Sequence, residues 1–139
     1  MYCKHLLIRS FAGFFALILI ANTASSANYT PLQNLEQAKF RVHEMLTALE
    51  PHPRADYDKA YEHANKAKEF LEAAYKERKA TEPSGGYTDR ALDYIQDASY
   101  HLDEAIHDLN DNPKVETGIV AHAEAAQKAI LKAIEALAA

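Results

Sequence analysis

Only one cysteine, Cys3, occurs in the chain of 139 residues, close to its start. Without a second thiol there is no intramolecular disulfide, no zinc-binding thiolate cluster and no Cys-x-x-Cys-His attachment for haem. Glycine is scarce too: the 4 residues form no phosphate-cradling loop, and no Gly-x-Ser-x-Gly turn presents a nucleophile. His43-Glu44-Met45-Leu46-Thr47 begins like a zinc-protease helix, yet Thr47 stands where the second histidine ligand has to be. Asp108, Asn110 and Asn112 are spaced like the ligands of a calcium loop, but Pro113 replaces the turn glycine and no glutamate closes the site. Ser84, beside Gly85-Gly86, reads equally well as part of a flexible linker. No catalytic motif is left, and enzymatic activity is not expected.

Long apolar runs are missing except for one, Phe11 to Ala21, which follows Lys4 and Arg9 and precedes the small residues Ser25-Ser26-Ala27. A positive start, a short apolar stretch and a small-residue end are the marks of a secretory signal peptide. The run falls short of the roughly 20 residues that a spanning helix needs. Residues 1–27 are therefore read as a cleaved signal and 28–139 as one domain, exported to the periplasm without stable membrane insertion. Cleavage removes Cys3, His5, Lys4 and Arg9, which takes the formal net charge from −5 to about −7 and leaves six histidines. So acidic a chain repels nucleic acid and anionic membranes and attracts cations.

The rest of the chain reads as helix. Alanine is abundant, β-branched residues are sparse, and three breaks recur at even intervals: Pro51 and Pro53, Glu82-Pro83-Ser84-Gly85-Gly86, and Asp111-Asn112-Pro113. Thr30, Pro31 and Gln33 form a capping box at the first of four segments. Its apolar stripe is Leu35, Ala38, Val42, Met45 and Leu49, and that of the second is Tyr57, Ala60, Ala64, Ala67, Leu71 and Ala74. The third, with Thr88 as cap, carries Leu92, Ile95, Ser99, Leu102, Ile106 and Leu109. The fourth, capped by Asn112, carries Ile119, Ala123, Ala126, Ile130, Ala133 and Leu137. Such spacing is the seam of an all-α, antiparallel up-down-up-down four-helix bundle. A faint internal repeat accompanies it, with His63-Ala64 matching His122-Ala123 and Gln37-Ala38 matching Asp97-Ala98.

Histidine and carboxylate positions are what is left to carry chemistry. Residues three, four and seven apart share a helix face, which aligns Asp97, His101, Glu104 and Asp108 in one column and Asp103, His107 and Asp111 in another. Imidazole with carboxylate suits Cu²⁺, Zn²⁺ or Ni²⁺. Both columns are placed opposite the apolar seam, where an ion would be surface-bound and exchangeable. His63 and His122 flank the seam, so packing competes there with ligation; His43 and His52 read as solvated and loop residues.

Tyr61-Glu62-His63-Ala64-Asn65-Lys66, His101-Leu102-Asp103-Glu104-Ala105-Ile106-His107, Val120-Ala121-His122-Ala123-Glu124 and the Gly85-Gly86 break together resemble the small metal-binding proteins. These are exported histidine-rich four-helix bundles with histidine at helical repeats of about seven residues. The likeness is best over 56–137 and implies binding of copper or another divalent ion in the periplasm, for buffering or storage. It implies His63, His101 and His122 as ligands, with His107 displaced by one position and His43 as a fourth match, while Glu104 is a candidate from its column with His101. Seven residues beyond His63, His101 and His122 stand Phe70, Asp108 and Ala129, of which only Asp108 can ligate. Two other readings stay open: an envelope adaptor or stress-protective helical protein without metal, and a non-covalent haem bundle in which Met45 or a histidine pairs with His122. The signal assignment predicts that the exported chain begins at Asn28, and intact-mass measurement of protein recovered from the cell envelope checks it.

Overall fold

The computed structural model describes residues 29–50, 55–81, 89–111 and 116–139. They form α1 (Pro31–Leu49), α2 (Tyr57–Thr81), α3 (Arg90–Asp111) and α4 (Glu116–Ala138), with no strand among the described residues. Local chemistry explains where the helices begin. At α1 the Thr30 hydroxyl accepts the Gln33 N–H at 3.3 Å, and the Gln33 side chain accepts the Thr30 N–H at 2.9 Å. The first orphan donors of the helix are thereby satisfied as a capping box, with Pro31 setting the first turn. Before α2 the Asp56 carboxylate accepts the Lys59 N–H at 3.1 Å, and this bond with the nearby ammonium holds its carboxyl below the usual range. At α3 the Asp89 carboxylate accepts the Ala91 N–H at 2.9 Å. The expected caps Thr88 and Asn112 lie outside the described residues, as do the signal segment, Ser84 and His52.

Each helix buries one stripe. Consecutive helices pack most extensively, α1 on α2 and α3 on α4, and α2 on α3 and α1 on α4 close the ring. The architecture is the antiparallel up-down-up-down four-helix bundle that the periodicity predicts. Leu35, Met45, Leu49, Leu71, Ile95, Leu102, Ile119 and Ile130 fill the centre, and alanines occupy most seam positions between them. On α3 the seam departs from the expected stripe: Ala98 and Ala105 are buried, while Ser99 and Ile106 are only half-buried. Both choices keep the three-four alternation, and the closer-packing alanines win the interior. The Ser99 hydroxyl instead donates to the Ile95 carbonyl at 2.9 Å.

The internal repeat extends through the whole core. Buried positions of α1 recur in α3 at residue numbers 60 higher, as Leu35/Ile95, Ala38/Ala98, Val42/Leu102, Met45/Ala105 and Leu49/Leu109. Those of α2 recur in α4 at numbers 59 higher, as Ala60/Ile119, Ala64/Ala123, Ala67/Ala126, Phe70/Ala129, Leu71/Ile130 and Ala74/Ala133. The two helical hairpins thus bury their residues in matching register. No helix of the described residues is long and apolar enough to cross a membrane.

Polar contacts join the hairpins at their shared edge. Arg78 Nε reaches Asp89 at 2.5 Å, Lys68 reaches Asp103 at 2.6 Å, and Gln96 donates to the Tyr75 hydroxyl at 3.3 Å. The Asp103 carboxylate holds the Lys68 ammonium above the ordinary lysine range. A raised lysine pKa contributes stability that is fully present below the unfolded value and lost as pH rises through the folded one. Lys68→Met should therefore lower stability at neutral pH by no more than about 1 kcal/mol, since the pair is solvent-screened, with the gap to wild type closing in strong alkali. Denaturant titrations at several pH values measure this. A second expectation concerns the alanines: Ala64→Leu or Ala123→Leu should destabilise by about 1–3 kcal/mol through overpacking, seen as a lowered Tm.

Candidate functional site

The residue just before a buried seam position lies at the lip of the core, facing the neighbouring helix. His101 precedes buried Leu102 on α3, and His122 precedes buried Ala123 on α4. Because α3 and α4 pack along alanine, these two lips come together. His101 Nδ1 and His122 Nδ1 are 3.3 Å apart, the rings tilted by 38° with centroids 5.6 Å apart. Both side chains are half-buried.

Two imidazole nitrogens at this distance can do one of two things. If one carries its proton on Nδ1, it can donate to the other as an N–H···N hydrogen bond. If both present lone pairs, they can share an ion. With a metal–nitrogen bond of about 2.0–2.1 Å and a tetrahedral angle, two ligand nitrogens lie about 3.3–3.4 Å apart. The observed spacing therefore equals the bite of a single ion. On the far side of the His101 ring, Nε2 lies 3.8 Å from Asp97 Oδ1, within ion-pair reach though longer than a hydrogen bond. Asp97 thus acts on the outer nitrogen of the ring, away from the pair. Tyr100 packs against His101 edge-on at 5.4 Å and limits its rotation.

The column of Asp97, His101, Glu104 and Asp108 does not lie opposite the seam. His101 sits at the seam's edge against α4, and Glu104 and Asp108 are half-buried, because a helix face three residues wide reaches from the solvent side to the lip of the core. The second column does face outward: His107 is exposed, and its Nδ1 pairs with Asp111 Oδ2 at 3.1 Å. His43 is also exposed, beside a groove of about 650 Å³ between α1 and α2 that His63 lines as well.

His63 lies on α2, facing α1. Its Nδ1 is 3.4 Å from Glu44 Oε2, and the same carboxylate oxygen takes Arg41 Nη1 at 3.2 Å. The histidine and glutamate are near enough to pair as charges, yet the geometry makes no hydrogen bond, and the buried His63 Nδ1 has no hydrogen-bond partner. Met45 is fully buried in the core cluster. Among the described residues no three histidine, aspartate, glutamate or cysteine side chains gather closely enough to hold an ion between them. The structure thus joins His101 and His122, leaves His43 and His107 apart from them, and puts His63 on a different hairpin.

Arg41, which histidine spacing alone passes over, lies beside His63 through their shared partner Glu44. The repeat could have found it, since Arg41 occupies in α1 the place of His101 in α3. Compared with protein-family models, with curated proteins and with solved structures, the chain matches none.

Proposed function

We propose that this protein binds a divalent metal ion through His101 and His122 and serves to buffer or store it in the periplasm. The observation that carries this reading is the 3.3 Å separation of the two Nδ1 atoms on facing helices, which fits one ion between them. Copper is the preferred ion, with zinc or nickel as alternatives, because divalent copper stands highest in the affinity order for such nitrogen and oxygen donors. Two protein nitrogens leave coordination positions open to water. An ion so held exchanges readily, which suits buffering better than a permanent structural centre.

Composition supports the same reading. A histidine-bearing acidic chain with no thiol beyond Cys3 meets a cation with imidazole and carboxylate alone once the signal segment is removed. The Lys4 and Arg9 start, the apolar run and Ser25-Ser26-Ala27 support export. No bond-making step is assigned to the protein. Its role is uptake and release, and because the imidazoles must be deprotonated to ligate, acid releases the ion.

Calorimetric titration of Cu²⁺ into the purified protein tests the reading. The expected result is one ion per chain, with affinity lost when His101→Ala and His122→Ala are combined, and retained when His43→Ala and His107→Ala are combined. Unchanged affinity in the first double variant would overturn the assignment of these ligands.

A further inference from the structure

The two hairpins share their core register, and their lips correspond as well. In the same register Phe40 matches Tyr100, Arg41 matches His101 and Glu44 matches Glu104, while His63 matches His122. The correspondence reaches the conformation of the side chains. Phe40 and Tyr100 are both exposed, at 49% and 57%, although each is a large ring. Each lies against the residue that follows it: the Arg41 guanidinium sits 5.6 Å from the centre of the Phe40 ring, and the His101 ring 5.4 Å from that of Tyr100. Such a likeness in non-core positions is not required by packing four helices.

They differ in what occupies the centre. Between α3 and α4 two imidazoles face each other at 3.3 Å. Between α1 and α2 a guanidinium replaces one imidazole, and a glutamate oxygen lies between it and the other, 3.2 Å from Arg41 and 3.4 Å from His63. His63 Nδ1 is buried without a hydrogen-bond partner, as is Arg41 Nε. The Glu44 carboxylate lies near His63 Nδ1 at ion-pair distance.

We infer that the fold carries two copies of a cation site, of which the one between α1 and α2 is permanently filled by the Arg41 guanidinium and the one between α3 and α4 is open to a divalent ion. The inference rests on the reading of His101 and His122 as ligands and adds two things to it. The first is a third ligand. Glu44 shows that a glutamate in this register reaches the imidazole of the partner helix, so Glu104, its counterpart, swings onto an ion held by His101 and His122. The second is a cause for asymmetry. A guanidinium cannot be deprotonated or displaced by metal, so the first hairpin keeps its cation whatever the ion supply, and only the second responds to it.

Cu²⁺ titration of the full chain and its variants, with helical content followed by circular dichroism, decides the matter. Arg41→His should raise the capacity from one ion to two, and the same substitution combined with His101→Ala and His122→Ala should keep one, now held by the first hairpin. Glu104→Gln should weaken uptake by the otherwise unaltered chain by about tenfold or more, while Glu44→Gln leaves it unchanged. If the wild type takes one ion at His101 and His122 but Arg41→His adds none, the duplicated site is overturned and the metal-binding reading stands. If the wild type takes none, the metal-binding reading falls and the inference that rests on it falls too. Should Arg41→His fail to fold, Glu104→Gln decides alone, and unaltered affinity there overturns the inference.

Discussion

Because the helices meet on alanine, their backbones approach as closely as side chains allow, and every other feature of the bundle follows from that approach. Ala38, Ala60, Ala64, Ala67 and Ala74 in the first hairpin, and Ala98, Ala105, Ala123, Ala126 and Ala133 in the second, are all buried. Each contributes only about 0.8 kcal/mol of buried methyl, so the larger aliphatic side chains between them supply most of the hydrophobic stabilisation. What alanine supplies is proximity. Side chains beside the seam, which a leucine-lined interface would hold apart, are brought together: His101 within hydrogen-bond distance of His122, and Glu44 within ion-pair distance of His63.

The same constraint explains which parts of the architecture were legible in the sequence. Helix number and topology could be read because proline and glycine breaks are local and the stripes are long. The start of α1 could be read from Thr30, Pro31 and Gln33, whose hydrogen bonds span three residues and need no tertiary context. The α3 stripe was misread at Ser99 and Ile106, since a one-residue shift preserves the alternation and only packing against neighbouring helices favours Ala98 and Ala105. The site was less legible. His101 and His122 each stood out as candidates, but their pairing depends on how α3 and α4 meet. Spacing along α3 grouped His101 with the acidic residues of its own helix. Arg41 is visible in the sequence only through the 60-residue register of Gln37-Ala38 with Asp97-Ala98, which sets it opposite His101.

Duplication gives the bundle a division of labour. In the first hairpin a charge triad of Arg41, Glu44 and His63 lines an open groove with groups the chain itself provides. In the second, two imidazoles meet with no carboxylate or guanidinium between them. Copies of one element that began alike can diverge in this way at little cost to the core, because the lip positions lie outside it. The core positions correspond more closely than the lips, with the same layers recurring from Leu35 to Leu49 and from Ile95 to Leu109.

The ion pair between Arg78 and Asp89 has a bearing on this correspondence. It joins the end of α2 to the start of α3, and so spans the point where one hairpin ends and its copy begins. Closing a loop by a contact at its base makes the entropy of the intervening chain only weakly dependent on its length. The join can therefore lengthen or shorten without separating the two halves.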